Sequence, residues 1–205
     1  MQRLTTTKMR SVNSYPFSTR KRVFDITLAV FASIVLIIPI ILLALCVKLT
    51  SSGPVFFSSD RVGQNNVIFR MVKFRTMREG TPIVATDKLA SPANWITPLG
   101  RFMRRTSLDE LPQLLNVLVG DMSIVGPRPA LFNQEDLIQE RTARGIDALL
   151  PGITGFAQIS GRDELSIPHK VEADAEYLSL CSFWMDMKII LITAWQVIAP
   201  RGVQH

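Results

Sequence analysis

Residues 20–48 read RKRVFDITLAVFASIVLIIPIILLALCVK. Three cations, Arg20, Lys21 and Arg22, give way to an apolar run from Val23 to Val47 that stops at Lys48. Its length suits one helix across a bilayer. No small-residue cleavage site follows it, which argues against a removed signal peptide. Two residues disturb a straight span. Pro39 removes a helix hydrogen bond and crowds the carbonyl four residues back. Asp25 suits the interface better than hydrocarbon. Cations flank both ends: Arg3, Lys8, Arg10, Arg20, Lys21 and Arg22 before, Lys48, Arg61, Arg70 and Lys73 after. Basic flanks favour the cytoplasmic side. A straight span would strand one set, whereas a re-entrant helix that bends at Pro39 satisfies both. Kinked spanning helices also contain proline, so charge and Pro39 alone leave both topologies open.

Outward from this run, residues 1–19 are polar and aperiodic and are expected to form a tail. Residues 54–60 (PVFFSSD) and 67–76 (VIFRMVKFRT) are β-rich and bracket Gly63-Gln64-Asn65-Asn66, so they predict a β-hairpin. Residues 78–94 read as a polar loop. Residues 95–106 (WITPLGRFMRRT) predict an amphipathic interfacial helix or turn, with Trp95 at headgroup level. Ser107 and Glu110 have capping-box spacing for a helix carrying Leu111, Leu114, Leu115 and Leu118, with Gly120 as its C-cap. Helix is expected at 133–149, 168–180 and 183–199, and irregular chain at 153–162. The last helix is apolar on most faces but carries Asp186 and Lys188, which favours packing or dipping into the interface over crossing. The fold class is α+β and mainly helical: a membrane helix, a small β-hairpin and interfacial amphipathic helices. The expected organisation is a tail at 1–19, a membrane helix at 20–49 and one catalytic domain at 50–205.

The chain has 205 residues and a formal net charge of +6. That length suits one core. A basic balance is compatible with nucleic acid, anionic lipid or an anionic substrate. Scattered cations, with no helix-turn-helix cue, zinc spacing or aromatic-interleaved RNA motif, speak against nucleic acid. Cys46 and Cys181 belong to no metal or redox pattern and read as apolar thiols in a reducing compartment. His169 and His205 have no partner at ligand spacing, and neither is assigned a catalytic role.

The chemistry concentrates in residues 105–131, RTSLDELPQLLNVLVGDMSIVGPRPAL. Asp109 and Glu110 follow Arg104 and Arg105. Asp121 comes next, and then Arg128 between Pro127 and Pro129. A lone acidic pair at a helix start commonly serves the macrodipole. Here, acids able to hold a divalent cation stand beside cations able to hold phosphate, which is what phosphoryl chemistry requires. The two prolines fix the backbone around one guanidinium. Lys73 and Arg75, two apart on a strand, face the same way. Beside Phe74 and Met77 they are expected to be partly buried, where an anionic ligand would compensate them.

These stretches carry a resemblance. KRVFDITLAVF, GPVFFSSDRVGQNN, FRMVKFRTM, RRTSLDELPQLLNVLVGDMSIVGPRPAL, LPGITGFAQISGR and FWMDMKIILITAW run in order from about residue 20 to about residue 200. Together they resemble the bacterial sugar transferases, the monotopic phosphoglycosyl transferases. The resemblance implies transfer of a phospho-sugar from a UDP-sugar to polyprenyl phosphate, usually undecaprenyl phosphate, with release of UMP. It implies Asp109 as nucleophile, Glu110 assisting, and Mg²⁺ held nearby by these two acids. Lys73, Arg75, Arg104, Arg105 and Arg128 are the candidate substrate contacts on the grounds of charge and position given above, and the resemblance implies a re-entrant membrane helix broken at Pro39. It places the chain in the bacterial inner membrane, on the cytoplasmic face, as a minimal catalytic unit. Oligomeric state stays open, a homodimer included. The family often has Ser-Pro at the helix break, where this chain has Ile38-Pro39. Two rivals remain: a non-enzymatic basic membrane anchor, and a Mg²⁺-dependent membrane phosphohydrolase that gives its phosphoryl group to water.

Overall fold

The computed structural model describes residues 14–82, 84, 89, 91–161 and 165–198. Most of the expected tail, including the flanking cations Arg3, Lys8 and Arg10, lies outside the described residues, as does His205. The tail's last residues are structured. Tyr15–Phe17 form a 3-10 turn, and Ser18 caps the helix that follows, its hydroxyl accepting from Lys21 N.

That helix, α1, runs Thr19–Thr50 and is assigned as one unbroken element with Pro39 inside it. The expected break is therefore not resolved as two helices. By length and composition α1 is the one described helix able to cross a membrane. Its middle exposes Phe31, Ile34, Val35, Ile37, Ile38, Ile41, Leu42 and Leu45. Its two ends are covered on one side, although Val23, Ile26 and Leu49 are exposed. Near the N-terminus, Leu28, Ala29 and Ala32 pack into the main core. Near the C-terminus, Ile40, Leu43, Ala44 and Val47 pack with Phe74 and Met103. Asp25 is not at an interface, contrary to expectation. It is 1% exposed, and Lys21 Nζ lies 2.8 Å from Asp25 Oδ1 and 2.8 Å from Asp186 Oδ2. Ser123 Oγ and Ile124 N also donate to Asp25, while Tyr15 and Tyr177 donate to Asp186. Buried carboxylates are tolerable when every oxygen is bonded, as these are.

The predicted hairpin forms. β1 (Phe56–Val62) pairs antiparallel with β2 (Ile68–Phe74), and Phe57 faces Lys73, Ser59 faces Met71 and Arg61 faces Phe69. Three 3-10 residues, Gln64–Asn66, make the turn. The chain continues through α2 (Pro92–Trp95), α3 (Pro98–Arg105) and α4 (Gln113–Val119). Then come β3 (Ser123–Val125), β4 (Ala130–Leu131), α5 (Glu135–Ala143), β5 (Gly152–Thr154), α6 (Phe156–Gly161), α7 (Ile167–Leu180) and α8 (Phe183–Ile198). β4 joins the outer edge of β1, and β3 pairs parallel with β5. So the described part of the stretch expected to be irregular, 153–161, is mostly strand and helix. The helix expected at 133–149 is shorter and ends near Gly145, whose φ of 69° is left-handed.

The open edge of β2 is covered by one side chain. Asn116, on α4, accepts from Val72 N (3.1 Å) through Oδ1 and donates to Arg70 O (2.8 Å) through Nδ2. An amide thus stands in for a neighbouring strand, satisfying backbone groups an edge would leave unpaired.

Candidate active site

The acidic pair does not open a capped helix. Ser107 adopts φ 56° and makes no side-chain cap, so the expected capping box is absent. Leu108–Glu110 form a 3-10 turn, and α4 starts only after Pro112, which has no N–H to extend the turn. Gly120, φ 115°, closes α4 as expected by donating to Asn116 O. The pair is therefore free of cap duty and turned inward.

Lys73 reaches it from β2 and Arg128 from the loop between β3 and β4. Lys73 Nζ lies 2.6 Å from Glu110 Oε1, and Arg128 Nη2 lies 3.0 Å from the same oxygen. Burial alone would raise the Glu110 pKa. Arg128 and Lys73 overcome that and hold it far below the usual carboxylate range. Asp109 goes the other way. It is 7% exposed, and burial, with Glu110's charge, raises its pKa against the pull of Lys73, Arg104 and Arg128. Burial, helped by Arg128, also lowers the Lys73 pKa, outweighing Glu110. Two adjacent carboxylates thus have opposite characters: Glu110 is held as an anion, and Asp109 is desolvated and more readily protonated.

The structure brings Lys73, Arg104, Arg128, Asp109 and Glu110 together. Arg104 also donates from Nε to Thr76 Oγ1 at 2.9 Å. Arg75 is placed elsewhere. It donates to the Ser52 carbonyl, to Ser51 O at 3.0 Å and to Ser51 Oγ at 2.8 Å, gripping the chain after α1. Arg105 is exposed. Asp121 sits by the end of α4, where it accepts from Asn116 Nδ2 at 3.3 Å.

Three features escape a reading of the sequence alone. Arg61 shares the hairpin face of Lys73, a fact that needs the register of β1 on β2. Arg141 donates to Arg128 O at 2.8 Å and forms an ion pair with Asp174 at 2.7 Å. The third is the seat of Pro127-Arg128-Pro129. Gly126 N donates to Thr154 O and Gly152 N to Pro127 O, both at 2.9 Å. A Cβ on Gly126, Gly152 or Gly155 would collide with the facing backbone. The glycines of LPGITG thus let β5 close on the strand that presents Arg128.

Among the described residues no three His, Cys, Asp or Glu side chains gather as a metal site. Mg²⁺ commonly takes one or two carboxylates and completes its shell with substrate phosphate and water. Asp109 and Glu110 are a donor set of that kind, so the residues present fit the ion when a diphosphate accompanies it.

A family model described as bacterial sugar transferase matches residues 17–200. The chain is 41% identical over 191 residues to the uncharacterized sugar transferase EpsL of Bacillus subtilis, covering 90% of each. It is 43% identical over 190 residues to a UDP-glucose:undecaprenyl-phosphate glucose-1-phosphate transferase of Escherichia coli, covering 86% of this chain and 39% of that protein. It is 40% identical over 197 residues to an undecaprenyl-phosphate glucose phosphotransferase of Komagataeibacter xylinus, covering 89% and 36%. Of these last two the chain spans little more than a third. The core, the hairpin and the acid–cation cluster all fall within the matched segment, and the chain belongs to the bacterial sugar transferase family.

Proposed function

We propose that this chain transfers a sugar phosphate from a UDP-sugar to undecaprenyl phosphate in two steps through Asp109. One observation carries the reading: a buried, destabilised carboxylate lies beside a second carboxylate that two cations pair through its Oε1, with cations around both. In the first step an Asp109 oxygen attacks the sugar-bearing phosphorus. The bond to the bridging oxygen breaks, and UMP leaves with both electrons. The acyl phosphate formed is reactive. In the second step an oxygen of undecaprenyl phosphate attacks that phosphorus, releasing the Asp109 carboxylate and forming the sugar diphosphate lipid. Lys73, Arg104 and Arg128 hold non-bridging oxygens through charge-assisted hydrogen bonds. Glu110 fixes Lys73 and Arg128 in place. Mg²⁺ held by Asp109 and Glu110 would offset the repulsion between carboxylate and diphosphate.

The placement proposed is the cytoplasmic face of the bacterial inner membrane, with α1 re-entrant. Support comes from the packing of both ends of α1 against the 50–198 body while its apolar middle stays exposed. Exposed Trp184, Leu191 and Trp195 on α8, and Leu115 and Val119 on α4, add apolar surface suited to the bilayer.

The test is UMP release from a UDP-sugar panel without lipid acceptor. The expected amount equals the enzyme present, with an added phospho-sugar on the intact mass that Asp109→Asn lacks. Release only when lipid phosphate is present, with no adduct, would overturn the two-step route. Continuous UMP release into water would favour the phosphohydrolase.

A further inference from the structure

Arg61 lies on β1, on the face that carries Lys73, because Ser59 and Arg61 stand opposite Met71 and Phe69, and directly opposed residues share a face. Ser59 and Met71 are buried, so this face turns into the protein. Arg61 Nε donates to Ser59 Oγ at 3.2 Å, and Nη1 donates to Pro129 O at 3.3 Å. Both acceptors are neutral and both contacts are long for N–H···O bonds. The nearby acid is Glu110, whose Oε1 already serves Lys73 and Arg128. Burial first, and then the charge of Arg128, push the Arg61 pKa down to about 10. A guanidinium resists losing its proton, so this direction marks a cation held with too little negative charge around it. Among the described residues Arg61 makes no ion pair, while the neighbouring Arg128 is paired with Glu110. An arriving anion would give Arg61 the charged partner that Ser59 and Pro129 do not.

We infer that Arg61 is a ligand for a substrate phosphate, forming with Arg128 a two-guanidinium clamp at the Pro127-Arg128-Pro129 loop. The inference rests on the transferase reading, in which a phosphate must come to rest beside Asp109. Arg61 Nη1 touches the carbonyl of Pro129, one residue after Arg128, so the tip of Arg61 rests on the loop that carries Arg128, near enough for the two charges to act on each other. Each can offer two parallel N–H groups to non-bridging oxygens. The same chemistry would serve the donor's diphosphate or the acceptor's phosphate. The opposing role for Arg61 is a brace that holds the Pro129 carbonyl and touches no substrate.

Direct binding separates these roles. UDP, and separately a short-chain polyprenyl phosphate, are titrated into the full chain in detergent for wild type, Arg61→Gln and Arg61→Lys. Unliganded melting temperatures are recorded beside them. A charge-assisted hydrogen bond is worth about 1.5–3 kcal/mol, so Arg61→Gln should weaken one ligand by about ten- to a hundredfold. Arg61→Lys should recover part of it. The unliganded Gln variant should melt no lower than wild type, because its loss relieves repulsion with Arg128. A loss confined to UDP assigns the clamp to the donor, and a loss confined to the lipid phosphate assigns it to the acceptor. Unchanged affinity for both overturns the inference, and so does a variant that melts lower and loses affinity only in proportion to its unfolded fraction. If wild type binds neither ligand, the transferase reading itself fails and this inference falls with it. If wild type binds and both variants match it, only Arg61 is removed from the site.

Discussion

Arg141 donates a 2.8 Å hydrogen bond to the carbonyl oxygen of Arg128. The same guanidinium is paired with Asp174, a carboxylate on α7 whose side chain is 2% exposed. The loop that carries one site cation is thus tied to a helix outside the site.

Arg141→Lys should lower turnover more than it lowers stability. A lysine can keep the charge opposite Asp174 but cannot bond Asp174 and Arg128 O at once. A tenfold fall in kcat with a small change in melting temperature is the expected pattern. Asp174→Asn should be worse for the fold, since it leaves Arg141 buried and uncompensated, a cost of about 3–5 kcal/mol. Thermal melts beside single-turnover rates check both. A stable Arg141→Lys variant with full activity would detach Arg141 from the clamp.

Glu110→Gln should destabilise the protein at neutral pH by about 2–4 kcal/mol, because Lys73 and Arg128 lose their shared anion. The pH dependence has a definite sign. The Glu110 pKa is held below its ordinary value, so its contribution is fully present above that ordinary value, about 4.3. It fades as pH falls from there toward the depressed value. The stability gap between wild type and variant should therefore narrow below about pH 4. Denaturant melts from pH 7 to pH 3 measure this, and a gap that widened on acidification would contradict the pairing.

Asn116→Ala should expose the edge of β2 and loosen Lys73 with it. Two hydrogen bonds to partly buried backbone groups are lost, so about 1–3 kcal/mol of stability should go. Asn116→Asp keeps the shape and the acceptor for Val72 N but sets an oxygen against Arg70 O. It should therefore recover little. Hydrogen exchange at Val72 reports the edge directly, and unchanged protection in Asn116→Ala would refute the covering role.

Much of this arrangement was legible in the chain, and the remainder has physical reasons for being hidden. The hairpin showed in β-branched and aromatic runs about Gly63, and α7 and α8 were expected as helices and α3 as a helix or turn. β3 and β5 have three residues each, too few for a period. Asp25 looked interfacial because its neutralising group, Lys21, is shared with Asp186, far along the chain. The capping box at Ser107 had the right letters, but Pro112 and a left-handed Ser107 delay the helix. In the site, Arg104 stood close to the acids in sequence and Arg128 in a fixed loop, whereas Lys73, 37 residues from Glu110, was signalled only by its expected partial burial on a strand. Arg75, two residues from Lys73, was placed with it by strand alternation. β2 ends at Phe74, and Arg75 turns instead to Ser51 and Ser52. Arg61 needed a strand register, which sequence supplies only through the fold.

Topology has its own test. Ser14→Cys and Ser91→Cys, each in a Cys46→Ser background, should both resist a membrane-impermeant thiol reagent in intact cells. Both sites lie next to segments packed on the same body, Ser14 beside Tyr15 and Ser91 beside α2. Labelling at Ser14→Cys alone would mean that α1 spans.

The acid limb of the first step should report Asp109. Attack on phosphorus needs the carboxylate, and burial raises the Asp109 pKa above its ordinary value of about 3.9. The rate of UMP release in a single turnover should thus fall at a higher pH than an ordinary aspartate would give. Arg104 is among the cations that pull this pKa down. Arg104→Gln should therefore move the limb to still higher pH, whereas Arg105→Gln, at an exposed position, should leave it in place. The Arg104 variant should also bind lipid phosphate or nucleotide less tightly, so the comparison is made at saturating substrate, where only the bound enzyme titrates. Two pH profiles decide the matter. A limb that stays put in Arg104→Gln, or moves to lower pH, would mean that the titrating group is not Asp109 and would return the nucleophile's identity to the adduct map.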